Sequence, residues 1–204
     1  MDKSHSDNVI TLYNTHHKEW RAQRHTDLFE KNWLDRFCKA LPHHGRRVLD
    51  LGCGSGEPIA RYLINQGCKL TGIDGAANLI NDANNNFPEH CWLSADMREL
   101  PILEPFDGIV AWHSFFHLNP ADQRKMFKIF KSNLKPGGAL LFTSGIDFGV
   151  ALGCFAGEPL YHSSLDSQEY RDLLAHNGFD VLAHVPEDKD CHGATVWLAQ
   201  YQHA

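Results

Sequence analysis

The chain has 204 residues, of which 22% are charged and 43% hydrophobic, and a formal net charge of -6 with histidine neutral. That is the size of one ordinary domain with ample material for a core. Its 19 lysines and arginines are scattered, which excludes the basic footprint of a nucleic-acid binder and favours a small-molecule partner.

Met1 to Asn8 is polar, without the apolar centre of a secretory leader, and no apolar run is long enough to cross a bilayer. The expectation is a cytoplasmic protein with no membrane partner. Gly138 to Tyr161 comes nearest to a span, but Asp147, Glu158 and repeated glycines interrupt it, so it reads as strand followed by loop. The first 45 residues read as helical, with Tyr13, Trp20, Leu28, Phe29, Trp33, Leu34 and Phe37 as an apolar set. Residues 1–45 are expected to form a helical lid over a core at 46–204, the whole of 1–204 being one domain. The oligomeric state is not legible.

From about residue 46 strand and helix patterns alternate, the mark of a parallel sheet covered by helices on both faces. Arg47 to Leu51 is a short buried strand stopped by Gly52, Gly54 and Gly56; the following helix has Pro58 in its first turn, an apolar stripe of Ile59, Leu63 and Ile64, and Gly67 at its end. Lys69 to Asp74 is the second strand, and Ala77 to Phe87 the second helix. Cys91 to Ala95 and Phe106 to Trp112 are the third and fourth strands. Asn119-Pro120 opens a helix through Leu134, and Pro136-Gly137-Gly138 turns into the fifth strand, Ala139 to Thr143. Ser167 is read as the cap of a helix ending at Gly178, without a full capping box because Tyr170 stands three residues on. Phe179 to His184 and Ala194 to Tyr201 complete the strands. Cys38, Cys53, Cys68, Cys91, Cys154 and Cys191 include no Cys-x-x-Cys pair and are expected to be reduced, mostly buried thiols.

Asp50-Leu51-Gly52-Cys53-Gly54-Ser55-Gly56 is a glycine-rich turn between a buried strand and a helix, where backbone can approach a ligand closely and the helix N-terminus offers free N–H groups. Dinucleotide enzymes use a related turn. Charge separates the two: a pyrophosphate would meet Asp50 and Glu57 at close range, whereas S-adenosylmethionine brings an ammonium and a sulfonium that an acidic turn complements. Asp74 ends the next strand, placed to accept from both ribose hydroxyls, a feature that NAD would also satisfy. At the end of the third strand, Asp96 can accept from an adenine amino group while Met97 packs on the ring. Each aspartate taken singly reads more readily as a cap or loop residue. Three at successive strand ends fit the rule that ligands in such sheets bind beyond the carboxyl ends of the strands.

In these motifs the chain resembles the class I S-adenosylmethionine-dependent methyltransferases, of the type that modifies small metabolites. Val48 to Gly56 is similar to the family's first motif, Gly72-Ile73-Asp74 to the second and Ala95-Asp96 to the third, and Leu134-Lys135-Pro136-Gly137-Gly138 resembles the turn before the fifth strand. The resemblance implies an α/β fold, a Rossmann-like three-layer sandwich on a seven-stranded, mostly parallel sheet whose last strand inserts antiparallel between strands five and six. It implies S-adenosyl-L-methionine as cofactor, with backbone contacts to its methionyl end from Gly52 and Gly54 and from Ala111 and Trp112 or His113. Tyr13 resembles the N-terminal tyrosine that closes over the methionyl carboxylate. The expected cofactor-binding set is thus Tyr13, Asp50, Gly52, Cys53, Gly54, Gly56, Asp74, Gly75, Ala95, Asp96, Met97, Ala111 and Trp112.

Methyl transfer is an in-line displacement at an already activated carbon, so alignment and exclusion of water come first, and a hydroxyl acceptor also benefits from a base. His113 and His117, four apart, would share a helical face near the donor, and His162 is a third candidate base. For each, a structural or solvent-exposed histidine is the alternative in a chain that has 14. No metal is expected, because no nearby carboxylate completes a site with the His113/His117 pair. The N-terminal helices and Ser144 to Ser164 should form the substrate pocket. They bring Trp20, Phe29, Trp33, Phe115, Phe116, Phe148, Phe155 and Tyr161, a set that suits a partly apolar acceptor or simple core packing. The stretch Ala111-Trp112-His113-Ser114 lacks the Asn/Asp-Pro-Pro-Tyr run of base-modifying enzymes. A non-catalytic module that binds S-adenosylmethionine or its demethylated product, and an NAD-dependent oxidoreductase, are the competing readings.

Overall fold

The computed structural model describes residues 2–24 and 27–202; Met1, His25, Thr26, His203 and Ala204, which fall inside the expected 1–204 domain, lie outside the described residues. In chain order the elements are α1 (Asp2–Thr15), α2 (His17–Gln23), α3 (Lys31–Ala40), β1 (Arg47–Leu51), α4 (Ile59–Asn65), β2 (Lys69–Asp74), α5 (Ala77–Asn86), β3 (Cys91–Ser94), β4 (Phe106–Ala111), α6 (Pro120–Asn133), β5 (Leu134–Ser144), β6 (Gly149–Phe155), β7 (Glu158–Ser164), α7 (Ser167–His176), β8 (Phe179–Asp188) and β9 (Ala194–Tyr201).

Side chains alternate across a strand, and here both sets are apolar, as a sheet covered on two faces requires. Val48, Val110, Leu141 and Leu198 face a core shared with α3 and α4. Their neighbours Leu49, Ile109, Leu140 and Trp197 face the core of α6 and α7, where Phe115, Phe127, Phe130, Phe142 and Tyr170 pack ring against ring. Seven strands run in the order β3-β2-β1-β4-β5-β9-β8. Pairing is parallel from β3 to β5, and β9 lies antiparallel to both β5 and β8. This is the Rossmann-like arrangement with the last strand inserted, as the family resemblance implied.

Several local expectations are corrected. Gly138 to Tyr161 is not strand then loop: β6 and β7 form a separate hairpin, closed by Ala156 and Gly157 at φ +52 and +81, the two-residue turn whose twist suits paired strands. β5 begins at Leu134, because the chain there already pairs with Phe106 before a register shift. The cap of α7 is Asp166, whose carboxylate accepts from Glu169 N at 2.8 Å; Ser167 is the first helical residue, and Glu169 stands in the third position. Pro58 precedes the first turn of α4 as its cap. Of the cysteines, all unpaired, Cys53, Cys68 and Cys191 are buried, but Cys91 and Cys154 are exposed, since β3 is an edge of the sheet and β6 an edge of the hairpin. Among the described residues no helix is long and apolar enough to cross a membrane.

Candidate functional site at the carboxyl ends of the strands

Parallel strands in register end together, so Asp50 pairs with Gly72 and Val110, and Asp74 with Ser94, along one rim of the sheet. Beyond that rim the glycine turn folds back. Gly52 N and Cys53 N donate to Ile73 O at 2.7 and 3.2 Å, and Gly54 N donates to Asp74 Oδ2 at 2.9 Å. The other Asp74 oxygen accepts from Ala76 N at 2.8 Å. Asp74 thus braces two loops at once. A Cβ at Gly54, where φ is +54, would stand 2.6 Å from the Trp20 ring, and one at Gly75 would stand 2.6 Å from Ile10. Glycine leaves the backbone bare enough for that approach.

The acidic groups differ in what they hold. Glu57 is paired with Arg61 one turn further along α4, so the expectation that it adds negative charge to the turn is corrected. Asp96 is gripped by Arg98, whose Nε lies 3.0 Å from both oxygens and whose Nη1 reaches Asp122 at 3.0 Å. Burial pushes the Asp96 carboxyl up, and the Arg98 donors outweigh it, leaving the group below its usual range. Asp50 is buried and takes no hydrogen bond on its carboxyl from the described residues, yet it lines a cavity of about 220 Å³. Burial first, then repulsion from Asp74, pushes its pKa up to about 7 against an opposing pull from Arg24.

Three cavities follow one another along the rim. One of about 120 Å³ lies under α1, beside Asp74, Asp96 and Met97; one of about 220 Å³ lies at the glycine turn; and one of about 430 Å³ lies between the end of β5, the hairpin and His192. His113 lines all three. Its φ of +50 is a left-handed conformation that side chains adopt at some cost, and its N–H donates to Thr143 Oγ1 at 2.9 Å. His113 and His117 therefore do not share a helical face: the chain between them makes only one tight turn, Phe115 to His117.

The three histidines also differ chemically. His117 Nδ1 lies 2.8 Å from Tyr161 O, which can only accept, so that nitrogen carries the proton and Nε2 accepts from Tyr13 Oη at 3.0 Å. Burial pushes its pKa down to about 3. With both nitrogens engaged, His117 ties α1 to the hairpin. His162 is half-buried and lines the two larger cavities; its Nδ1 donates to Leu160 O at 3.1 Å, leaving Nε2 as an acceptor. The pKa of His113 is pushed down by the surrounding protein, then by Arg24 and His192, although the residue is exposed, which offsets part of that effect.

α1 and α2 cover the cleft. Tyr13 packs on Phe155 of the hairpin at 5.4 Å, His16 Nε2 lies 2.9 Å from Glu158, and Asn14 accepts two hydrogen bonds from Asn78 of α5, one on its side-chain oxygen and one on its carbonyl. α3, by contrast, buries Trp33, Leu34 and Phe37 in the core, so only the first part of the 1–45 segment overlies the cleft. Phe115 and Tyr161 are likewise core rather than pocket. Of the expected cofactor-binding residues, Tyr13, Asp50, Gly52, Cys53, Gly54, Asp74, Gly75, Asp96, Met97 and Trp112 line the first two cavities. Gly56 sits instead beneath Phe87 and Trp92, Ala111 is in the core, and Ala95 stands behind Asp74, donating its N–H to Asp74 O. Sequence reasoning missed Arg24, Arg98, Ile10 and Ser114, whose Oγ donates to Leu51 O at 2.6 Å.

Residues 48–138 match the family model of a methyltransferase domain. The chain is 25% identical over 135 residues to a ubiquinone biosynthesis O-methyltransferase of Acinetobacter baylyi, covering 63% of this chain and 55% of the relative. It is 28% identical over 123 residues to a malonyl-[acyl-carrier protein] O-methyltransferase of Enterobacter lignolyticus, covering 60% and 48%. The matches thus span about half the length of these relatives. In fold it is similar to the crystal structure of a magnesium protoporphyrin IX methyltransferase from Synechocystis, solved with bound S-adenosylmethionine, at a TM-score of 0.72, 15% identity and 97% coverage of both chains.

Proposed function

Because the chain belongs to the class I S-adenosylmethionine-dependent methyltransferases, we propose that it methylates a small-molecule acceptor with S-adenosylmethionine as donor. Asp50 carries this reading: a buried carboxyl at the glycine turn, with no hydrogen-bond donor of its own among the described residues, suits a ligand that arrives with a positive charge. A pyrophosphate at the same spot would face Asp50 and Asp74 together. When bound, the cofactor supplies a methyl group already activated on a sulfonium.

The residues divide the remaining work. Gly52, Gly54 and Gly75 line the cleft with bare backbone that lets Ser114, Trp20 and Ile10 close in on it, Asp74 has lone pairs left for ribose hydroxyls beyond its two backbone donors, and Met97 offers an apolar wall beside Asp96. α1 and α2 act as the lid that keeps water out, held down by Tyr13 on His117. His113, where the three cavities meet, is the base that takes the proton of a hydroxyl acceptor, and His162 faces it from the acceptor side. His117, with both nitrogens engaged, takes no proton.

Calorimetric titration with S-adenosylhomocysteine and, separately, with NAD tests the donor half: binding of the first and not the second is expected, and tight NAD binding alone would overturn the assignment. Incubation with labelled S-adenosylmethionine and a metabolite extract tests the transfer. Binding of the donor without any labelled product would make the protein a non-catalytic module.

A further inference from the structure

Methyl transfer needs no thiol, yet the cysteines of this protein do not stand in equal surroundings. Cys53 and Cys191 turn their S–H toward carbonyls, those of Gly54 and Phe29. Cys91 and Cys154 are exposed on edge strands. Cys38 and Cys68 instead meet each other, their two thiols sharing a hydrogen bond.

They meet at the end of the sheet opposite to the cleft. α3 carries Cys38 in its last turn and buries Trp33, Leu34 and Phe37 in the core to which Cys68 also belongs. Cys68 leads into β2: its N–H donates to Leu63 O at 3.0 Å, and that of Lys69 donates to Arg46 O at 2.7 Å. The end of α3, Arg46 and the approach to β2 thus surround a cavity of about 490 Å³, lined among others by Cys38, Lys39, His43, Arg46 and Gln66. Cys38 is half-buried in its wall, whereas Cys68 is 3% exposed and does not line it. A small solute in the cavity therefore reaches one sulfur and finds the second behind it.

Thiol chemistry runs through the thiolate. The Cys68 S–H, donating to Cys38, holds that thiol below its ordinary pKa; burial opposes the effect, Arg46 adds to it and Asp35 subtracts from it. The same hydrogen bond, with burial, pushes Cys68 up, so Cys68 keeps its proton. The last turn of α3 bears the negative end of the helix dipole, which the thiol donor and Arg46 together offset. An accessible thiolate with a second thiol in reach is the arrangement that makes oxidation reversible.

We propose that Cys38 and Cys68 are an oxidisable pair, in which Cys38 attacks a hydroperoxide and Cys68 resolves the product into an internal disulfide. The Cys38 thiolate attacks the outer oxygen of the hydroperoxide: an S–O bond forms, the O–O bond breaks, and the leaving alkoxide takes a proton from solvent. Cys38 is then a sulfenic acid. Its thiolate no longer holds the proton on Cys68, whose sulfur attacks that of Cys38. An S–S bond forms, the S–O bond breaks, and the departing hydroxide takes the Cys68 proton as water. The two electrons lost by the pair are those that reduce the peroxide.

The test is to treat the native protein with a small excess of hydrogen peroxide, alkylate it, digest it and read the peptides by mass spectrometry. A peptide linking Cys38 to Cys68 should appear first, with the intact chain lighter by about 2 Da, while Cys91 and Cys154 remain open to alkylation. Dithiothreitol should reverse the change. Cys38→Ser should abolish the fast reaction, and Cys68→Ala should stop it at a sulfenic acid on Cys38 that dimedone traps, with circular dichroism checking that each variant folds. Because the linked peptide is read in the unsubstituted protein, a variant that fails to fold leaves the test intact. Absence of that peptide from the native protein overturns the proposal, as does oxidation of Cys91 or Cys154 ahead of Cys38, or a link that forms only in denaturant. The pair lies outside the cleft, so this outcome is independent of the methyltransferase reading.

Discussion

The proposed donor end of the cleft has as its floor one contiguous stretch, Asp50 to Met97, whose strands end in register and whose loops are braced by Asp74. The proposed acceptor end is made by the turn after β4, the end of β5, the hairpin and the loop before β9, which meet only in the folded chain, and α1 lies over the donor end while touching the hairpin. In the first, local backbone geometry fixes the chemistry; in the second, contacts such as Tyr13 with His117, 104 residues apart, fix it. Substitutions should therefore act differently: at the donor end they remove a binding site, and at the acceptor end they alter rate or closure.

The largest effect belongs to Asp74→Ala. It leaves Gly54 N and Ala76 N without their acceptor, at about 1–3 kcal/mol for each group that stays dry. Affinity for S-adenosylhomocysteine, followed calorimetrically, should fall more than about 100-fold, the equivalent of two such losses. The fold should persist with a lowered Tm. Gly54→Val, which forces a branched side chain into a φ of +54 against Trp20, should do the same. Unchanged affinity in both would mean that ligand binding does not depend on the contiguous stretch.

This contrast also explains what was legible in the sequence. The strands and glycine turn of the donor end announce themselves through alternation and spacing, since neighbours in the fold are neighbours in the chain. Even there, side-chain pairing was hidden: nothing in the run from Ala95 to Arg98 says that the arginine folds back on the aspartate, and the Glu57 charge was misjudged because Arg61 pairs with it. At the acceptor end the hairpin was hidden by its own glycines, which read as interruptions of one apolar run. The types and spacing of His113, His117 and His162 mark them as candidates, but the roles of His117 and His162 depend on which carbonyl each ring meets, and Tyr161 O and Leu160 O belong to a strand that the sequence does not announce.

His113→Ala should come next in size. A positioned base contributes about 10²–10⁴-fold to proton transfer, so kcat toward a hydroxyl acceptor, at saturating donor, should fall by that order while S-adenosylhomocysteine affinity stays within a few-fold. Because the surrounding protein lowers the pKa of His113, the ring remains neutral and basic below the ordinary histidine value of 6.5, and the acid limb of kcat should lie beneath that value. If His162→Ala abolished kcat and His113→Ala spared it, the base would belong on the hairpin, and the donor and acceptor ends would be even less connected.

Asp50 supplies a smaller, pH-dependent effect. Its folded pKa of about 7 lies above the ordinary value of 3.8, so ionising this group opposes folding: its contribution to stability is full below 3.8 and is lost as pH rises through 7. A cationic ligand needs the ionised form. Affinity for S-adenosylhomocysteine, which keeps the ammonium, should therefore climb by up to about tenfold per unit below pH 7 and level off above it. Asp50→Asn should erase this limb, as measured by titrations from pH 5.5 to 8.5, and a limb that survives would assign the titration to another group.

The smallest effect, Tyr13→Phe, tests whether the two ends communicate. The substitution keeps the ring that packs on Phe155 and removes only the hydroxyl that donates to His117 Nε2. That nitrogen sits in a buried ring held in place by Tyr161 O, so it cannot turn to find another donor, and losing the bond costs about 1 kcal/mol. If this bond holds the lid shut, the cost falls on the closed state alone. S-adenosylhomocysteine should then leave about fivefold faster in stopped-flow displacement, with its association rate little changed, because entry requires an open lid in either protein. Equal slowing of association would place the hydroxyl in the entry path, and unaltered dissociation would mean that Asn14 on Asn78 and His16 on Glu158 suffice to close α1 over the donor end.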